Sequence, residues 1–512
     1  MVFLRTHKHY LTLLSILLLV KALWACYEIS SGYISLNPDE AQYWTWSQNL
    51  DYGFYSKPPG IAWQIWMGCK LFGQNEMGVR FFSVVFSMLT SFAIYLLAYC
   101  LGGTGRLAFW SALILGLSPI GLMGTFAATT DVGFILFWTL ALCPLVWALH
   151  KKRPPNFYIV GAFILMGSLF KWPIYIIWPM ILLTCLVYRP FYHRSIWIGI
   201  SISLIGLAPS IIWNASHEWA TFRHVFTQSA GRTSKSNFWD FFGAQFGVLS
   251  PIYFILLLLS LLETLKQRWN LQRALLFCSF CTSFILGIFL FLAMFKKIQA
   301  NWALYAYPSA TVLIAWYALD VLGRGHRWLH RGAALSLMMV TTCISIPFLQ
   351  KRDFFSEKTL PYRINPFRHS MGWAALQKEL KTIPYDPEEN FYFSDSYQLA
   401  SLLSFYGPEH KRQYFLNLSN KRKNQFSFWP SMADEKLGKT GYYIWADNSK
   451  DFLADVDYRR NKALNLLTPF FEKVEFVKII PLFTSHNKLV KGALLFKCVN
   501  YNGKEPLATQ AY

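Results

Sequence analysis

Apolar runs long enough to cross a bilayer as a helix, about 20 residues each, recur through the first two thirds of the chain. The pattern predicts about eleven spans, at roughly 10–29, 78–101, 107–126, 132–149, 157–171, 172–188, 194–213, 241–262, 274–295, 302–319 and 332–349. The fifth and sixth are short, as tilted or re-entrant segments are. The stretch 30–77 is too long for a tight turn, and its aromatics and scattered charges predict short helices lying in the membrane interface. After residue 350 the pattern changes to prolines, charges and short alternating runs. Asn390 to Phe393 and Gly441 to Trp445 read as strands and Tyr397 to Tyr406 as a helix. Val474 to Leu482 and Gly492 to Val499 read as a closing strand pair. The expected fold class is a polytopic α-helical membrane protein with a C-terminal soluble α/β module. The expected units are residues 1–349, with the long first loop, and residues 350–512.

Composition agrees with that pattern. Hydrophobic residues make up 54% of the 512 and charged residues only 15%, against about 25% in a soluble domain. A soluble-core reading is excluded, and the 21 tryptophans and 27 tyrosines suit interfacial belts. The net charge of +21 is read mainly as positive-inside bias, with the remainder facing anionic lipid or phosphate. Lys151-Lys152-Arg153, Arg189/Arg194, Lys266/Arg268/Arg273 and Arg324/Arg327/Arg331 fall on the side of the N-terminus. That side is therefore expected to be cytoplasmic, with the first loop, the Thr130-Asp131 turn, the 214–240 loop and the C-terminal region outside. Leu23-Trp24-Ala25-Cys26 resembles a lipoprotein cleavage box, but the first apolar segment is read as an uncleaved span because it is long and more spans follow. Nine cysteines imply no disulfide framework, and Cys278-x-x-Cys281 inside an apolar run reads as packing rather than zinc. No cofactor is implied, and a divalent metal is not indicated. Neither G-x-x-x-x-G-K-[ST] nor a G-x-G-x-x-G after a strand is present, and no nucleic-acid partner is expected.

The acids then focus attention on one stretch. Only ten precede residue 350, and Asp39, Glu40, Asp51 and Glu76 of these lie in the first loop. Acids are costly near a membrane, so they are placed where they stabilise structure or do chemistry. Asp39-Glu40 after Pro38 can be a helix N-cap, a carboxylate that orients or deprotonates an acceptor hydroxyl, or both. Lys57-Pro58-Pro59 is either a solvated proline turn or an ammonium held by a stiff backbone against a phosphate. Arg80 opens the second span at the same level, as a second cation or a snorkelling arginine. Asp131 starts a span with no basic residue near it in sequence, so it caps a helix or faces a polar cavity. Lys171-Trp172, Trp213 to Trp219, Lys296-Lys297 and Asn301-Trp302 all fall on the expected outer side. A cationic site at a membrane edge suits a lipid-linked phosphate, from which a sugar would leave by displacement at C1.

The stretches Pro38 to Trp44, Lys57-Pro58-Pro59, Gly78-Val79-Arg80, Thr130-Asp131, Lys171-Trp172, Trp213-Asn214 to Trp219, Ala300-Asn301-Trp302, Ser394 to Ala400 and Phe405-Tyr406 carry a family likeness. The chain resembles bacterial members of the GT-C superfamily, in the branch of dolichyl-phosphate-mannose-protein mannosyltransferase-like proteins and lipid A aminoarabinose transferases. The resemblance implies an inverting glycosyltransferase of the bacterial inner membrane. Its donor would be a polyprenyl (undecaprenyl) phosphate sugar and its acceptor lipid A, lipopolysaccharide or another polysaccharide, met on the periplasmic side among membrane lipids. It implies a central acid in the first loop, Lys57 near the donor phosphate and Asp131 as a second acid. Candidate catalytic residues are therefore Asp39, Glu40 and Asp131, and candidate phosphate-binding cations are Lys57, Arg80 and Lys171. Candidate substrate contacts are Tyr43, Trp44, Tyr55, His217, Lys297 and Asn301. Asp39-Glu40-Ala41 and Ser56-Lys57 stand where the aminoarabinose enzymes have Asp-Glu-Thr and Glu-Lys runs, which leaves sugar and acceptor open. A protein O-mannosyltransferase, a lipid-linked sugar transporter and a glycolipid-binding scaffold are the rival readings. A transporter predicts paired halves with broken helices, and the sequence shows no such halves.

Overall fold

A computed structural model describes residues 2–230, 236–449, 451–506, 509 and 511. Helix α1 (Val2–Ser30) opens the chain and packs on the fourth and fifth helices. The first loop folds into α2 (Pro38–Gln48) and α3 (Gly60–Phe72), the short helices its pattern predicts. Next come α4 (Glu76–Cys100), α5 (Gly105–Leu117), α6 (Pro119–Met123) and α7 (Thr130–His150). Then follow α8 (Phe157–Ser168), α9 (Ile177–Val187), α10 (Ile196–Ile205), α11 (Ala208–Ser216) and α12 (Ala220–Ala230). Helices α13 (Phe238–Leu249), α14 (Pro251–Lys266), α15 (Arg273–Ala293), α16 (Tyr307–Trp316) and α17 (His326–Lys351) complete the apolar part.

Among the described residues five helices are long and apolar enough to cross a membrane: α1, α4, α7, α15 and α17. Three further pairs meet that test only as bent pairs. The expected single span at 107–126 breaks at Ser118-Pro119 and bends by 67°. Ser118 caps the second piece through its hydroxyl, and Pro119 has no N–H to continue the first. The expected span at 241–262 turns by 109° at Ser250-Pro251, where Ser250 has φ +90°. An apolar run reports length but not direction, so neither bend shows in the pattern. Close backbone approach ties the first loop to this bundle. A Cβ on Gly68 of α3 would lie 2.1 Å from the Gly78 carbonyl oxygen of α4, so a side chain there would force the helices apart.

After α17 come α18 (Trp373–Leu380), β1 (Asn390–Ser394), α19 (Tyr397–Tyr406), β2 (Tyr414–Phe415), β3 (Thr440–Asn448), β4 (Phe471–Ser485) and β5 (Lys488–Tyr501). The sheet order is β2-β1-β3-β5-β4. β1 runs parallel to β2 and β3, and the remaining pairs are antiparallel. His486 and Asn487, both at positive φ, make the two-residue turn of the β4–β5 hairpin. One face of the sheet closes over Phe391, Phe393, Tyr443 and Phe496. The other shares a core with the first loop, in which Tyr392, Leu403 and Ile480 meet Trp44, Trp46, Ile61 and Ile65. Helix α19 lies directly on α2, with Phe405 edge-on to Trp44 at 5.0 Å. The Tyr406 hydroxyl accepts from the Leu36 N–H (2.8 Å) and donates to Glu76 (2.9 Å). The C-terminal region is thus the roof of the first loop.

Candidate active site

The N-terminus of α2 sets the geometry. Asn37 Oδ1 accepts from the N–H groups of Asp39 and Glu40, both at 2.9 Å, and Glu40 Oε2 accepts from the Asn37 N–H at 3.0 Å. This reciprocal cap, with Pro38 at the first helical position, fixes the start of the helix. Glu40 turns inward and is 1% exposed. It receives Arg80 Nε at 2.8 Å on one oxygen and an Arg80 terminal nitrogen at 2.7 Å on the other. The Ala128 N–H adds a third segment at 2.8 Å. Arg80 is 2% exposed and also donates to the carbonyls of Ile34 and Ser35. Sequence reading placed Glu40 among the catalytic acids and Arg80 at the donor phosphate. In the structure the two are buried against each other and join the first loop, α4 and the segment before α7.

Asp39 turns outward. It is reached by solvent but sits in a recess. Burial raises its pKa above the ordinary carboxylate value, Lys57 opposes that rise, Glu40 adds to it, and the Gln398 side chain and His369 lower it again. Lys57 follows a narrow bridge in which Phe54 and Lys57 exchange backbone hydrogen bonds at 3.1 and 3.3 Å. The stack of Phe54 on Trp46 (4.8 Å) holds this bridge to α2. On its far side the Gly60 N–H donates to the Leu169 carbonyl at 2.7 Å. A Cβ at Gly60 would meet that oxygen at 2.6 Å, so this contact needs glycine. Burial lowers the Lys57 pKa and the Lys171 ammonium lowers it further, while Asp131 and Asp39 raise it. Among the described residues its ammonium makes no hydrogen bond or contact ion pair.

Asp131, in the first turn of α7, pairs with Lys171 at 2.5 Å and receives Asn301 Nδ2 at 3.4 Å. Gly133 permits this: its absent side chain leaves room for the Phe170 ring, which brings the next residue, Lys171, to α7. Tyr43, one turn after Asp39 on α2, feels both Asp39 and Asp131; burial and these carboxylates raise its pKa, so it remains a donor. A cavity of about 320 Å³ opens below, with Asn37, Asp131 and Asn301 among its polar lining and Leu115, Ile135 and Leu304 among its apolar lining.

The structure thus gathers Asp39, Lys57, Asp131, Lys171, Tyr43 and Asn301. Trp44 is fully buried, donating to Gln74 at 2.6 Å, and offers no surface to a ligand. Tyr55 and His217 surround Trp213 and Phe428 beside the loop, with His217 stacked on Trp213 at 4.1 Å. Lys297 is exposed in the turn between α15 and Asn301. Sequence reading missed Gln398, His369 and Tyr397, which the C-terminal region brings over Asp39 and Tyr43. The Ser394-to-Ala400 likeness held two of them, but nothing local tied it to Asp39. Among the described residues no three His, Cys, Asp or Glu side chains gather as a metal site.

Comparison with known proteins bears on the fold. Residues 56–213 match the family model described as dolichyl-phosphate-mannose-protein mannosyltransferase. Crystal structures of ArnT from Cupriavidus metallidurans, bound to undecaprenyl phosphate and in the apo state, superpose with TM-scores of 0.62 and 0.63 at 13% and 14% identity. The undecaprenyl phosphate complex matches over 94% of this chain and 97% of that one. The chain has the GT-C membrane fold. It is similar in sequence to the lipid A galacturonosyltransferase RgtD of Rhizobium johnstonii, at 28% identity over 303 residues. That match covers 57% of this chain and 63% of the rhizobial protein, less than two thirds of its length. It is also similar to the undecaprenyl phosphate-alpha-4-amino-4-deoxy-L-arabinose arabinosyl transferase of Pseudomonas savastanoi pv. phaseolicola, at 29% identity over 172 residues. That match covers 30% of this chain and 32% of the other.

Proposed function

We propose that the chain is an inverting glycosyltransferase that moves a sugar from a polyprenyl phosphate carrier to a lipid A or lipopolysaccharide acceptor at the outer face of the bacterial inner membrane. The observation that carries this reading is the clustering of Asp39, Lys57, Asp131 and Lys171 within electrostatic reach of one another, with Asp131 lining a partly apolar cavity. Lys57, an ammonium with no contact partner among the described residues, takes the carrier phosphate. The acceptor oxygen attacks C1 from the opposite face and the C1–O bond to the phosphate breaks. The bond's electron pair goes to the phosphate, where Lys57 stabilises the growing charge. With a hydroxyl acceptor, its proton goes to the Asp39 carboxylate; with a phosphate acceptor no proton moves and Asp39 positions it. Asp131 holds Lys171 and Asn301 in place on the donor side. Glu40 and Arg80 serve as the buried brace that presents Asp39.

The reading includes about eleven passages through the membrane, with the bent pairs each counted within it, an N-terminus in the cytoplasm, and a C-terminal unit from residue 350 in the periplasm. The basic loops support that orientation. The family description favours a protein acceptor as the second reading, while the name of the rhizobial relative gives a lipid A acceptor and that of the Pseudomonas relative an undecaprenyl phosphate donor. The test is transfer of radiolabelled sugar from undecaprenyl phosphate in proteoliposomes holding either lipid A or an acceptor polypeptide. Label in lipid A that depends on the protein supports the proposal, and label in the polypeptide alone overturns it.

A further inference from the structure

The C-terminal region contains polar recesses that the chemistry at Asp39 leaves unassigned. The larger, about 590 Å³, is lined by Lys358, Arg363, Arg368, Asn448, Ser449 and His486, among others. A smaller one of about 140 Å³ shares Asn448 with it and is also lined by His369, Gln398 and Lys491. His369 and Gln398 are the C-terminal residues among those that act on Asp39. Arg368 of the larger recess and His369 of the smaller are consecutive, Asn448 lines both, and Pro38, the residue before Asp39, lines the smaller one.

The lining is cationic. Lys358 and Arg363 are exposed and, among the described residues, neither pairs with a carboxylate. Each recess also has one acid in its lining, and both acids are engaged, Glu357 by Lys488 at 3.0 Å and Asp447 by Arg459 at 3.4 Å. Lys491 is 2% exposed, lies over the Trp373 ring at 4.0 Å and donates to the carbonyls of Arg368 (3.1 Å) and Met371 (2.6 Å), not to an acid. A second, independent observation concerns neutral groups. Asn448 Oδ1 and Ser449 Oγ are buried yet have no hydrogen-bond partner among the described residues. Groups buried in that way are nearly always satisfied in folded proteins. A bare anion cannot satisfy an acceptor oxygen such as Asn448 Oδ1, whereas a sugar hydroxyl can. Unpaired cations beside unsatisfied hydroxyl-binding groups match a ligand that carries both phosphate and sugar.

The position favours a lipid-borne ligand. The recess lies just past α17, the last candidate span. Phe354, Phe355 and Ile364 on the same segment are 71%, 41% and 48% exposed, an apolar rim suited to the membrane interface.

We infer that the larger recess binds the phosphorylated saccharide headgroup of a membrane glycolipid and that the smaller one passes its reactive end to Asp39. The acceptor role rests on the function proposed above; the binding itself does not. Both cations are exposed, so their replacement leaves the core intact. The test measures binding to the full chain in nanodiscs, with bis-phosphorylated lipid A, phosphate-free lipid A and glucose 1-phosphate as probes. Wild type should prefer the bis-phosphorylated lipid over the phosphate-free one by at least about tenfold, as charge-assisted hydrogen bonds would give. The Lys358→Gln/Arg363→Gln variant should lose that preference while keeping wild-type affinity for undecaprenyl phosphate. A preference that survives in the variant overturns the inference, as does glucose 1-phosphate binding as tightly as the glycolipid. If the wild type transfers no sugar yet shows this preference, the proposed function falls and the binding site stands. If transfer is robust and the preference is absent, the reverse holds.

Discussion

Glu40→Gln separates brace from base. The substitution keeps the size of a side chain that is 1% exposed and removes its charge. Four hydrogen bonds converge on the wild-type carboxylate, two from Arg80, one from the Asn37 N–H and one from the Ala128 N–H. A carboxamide has one acceptor oxygen and brings two donors, so its nitrogen must face a donor it cannot serve. Arg80 stays charged and buried with half of its carboxylate contact gone. Breaking one side of a buried pair costs about 3–5 kcal/mol, whereas the Asn37 cap is kept, since a glutamine can also reach back to the cap N–H. Against a typical total stability of about 5–15 kcal/mol, that should lower the thermal midpoint by roughly 5–15 °C. The assay follows unfolding of purified protein by intrinsic fluorescence, alongside sugar transfer. The companion is Glu40→Gln/Arg80→Met, which removes both charges; replacing a buried pair by apolar groups is often close to neutral. The double variant should recover most of the stability and a measurable part of the transfer. A Glu40→Gln protein with an unchanged midpoint and abolished transfer would refute the brace, as would a stable double variant that is wholly inactive.

Asp39→Asn should keep the wild-type midpoint and lose transfer by about 10²–10⁴-fold, the usual contribution of a positioned acid–base group; steady-state label transfer in proteoliposomes checks it. Lys57→Gln should cost about 10²–10³-fold in turnover, with Lys57→Arg restoring part of it, since the charge rather than the shape meets the phosphate. The wild-type pH profile should be narrowed at both ends. The raised Asp39 pKa means the active carboxylate is lost as pH falls, sooner than for an ordinary aspartate, and the lowered Lys57 pKa means the ammonium is lost as pH rises, sooner than for an ordinary lysine. An alkaline limb that does not move upward in Lys57→Arg would remove Lys57 from the profile. Asp131→Asn should release Lys171 from its 2.5 Å contact and raise the KM for the donor more than it lowers turnover, as measured by varying undecaprenyl phosphate sugar at fixed acceptor.

Periodicity carried much of the architecture. The helix expected from Tyr397 to Tyr406 forms over those residues, and the strands at 390, 441, 474 and 492 lie within β1, β3, β4 and β5. The breaks at Ser118-Pro119 and Ser250-Pro251 were not legible as bends, because hydropathy measures how long a segment stays apolar and not where it points. Of the candidate site, residue chemistry picked out Asp39, Lys57 and Asp131, which the structure gathers, since charge in an apolar chain is rare enough to be informative. Pairing was hidden. Asp131 opens α7 while Lys171 lies in the turn after α8, and the two meet where Gly133 admits Phe170. Glu40 and Arg80 looked like two functional charges because a sequence shows each charge without its counter-ion. Gln398 reaches Asp39 through the packing of α19 on α2, and His369 comes to it from the turn before α18, each from a segment more than 300 residues away in sequence.

Adjacent acids at the start of α2 cannot share a task, and the helix itself divides them. Successive residues on an α-helix point about 100° apart, so when one side chain faces the core its neighbour faces away from it. The residue three after the cap is the one that can fold back on it, and with Asn37 as cap that residue is Glu40. Capping therefore turns Glu40 inward to Arg80 and the Ala128 N–H, and the same rotation sends Asp39 out toward Lys57. The inward acid also fixes the outward one. It ties α2 to α4 and to the chain three residues before Asp131, so both carboxylates of the site hang from one buried junction. Moving the cap by one residue would exchange the two acids, burying the one that is open to solvent and stripping Arg80 of its partner. The order Asn-Pro-Asp-Glu, and not merely the presence of two acids, is what the site requires.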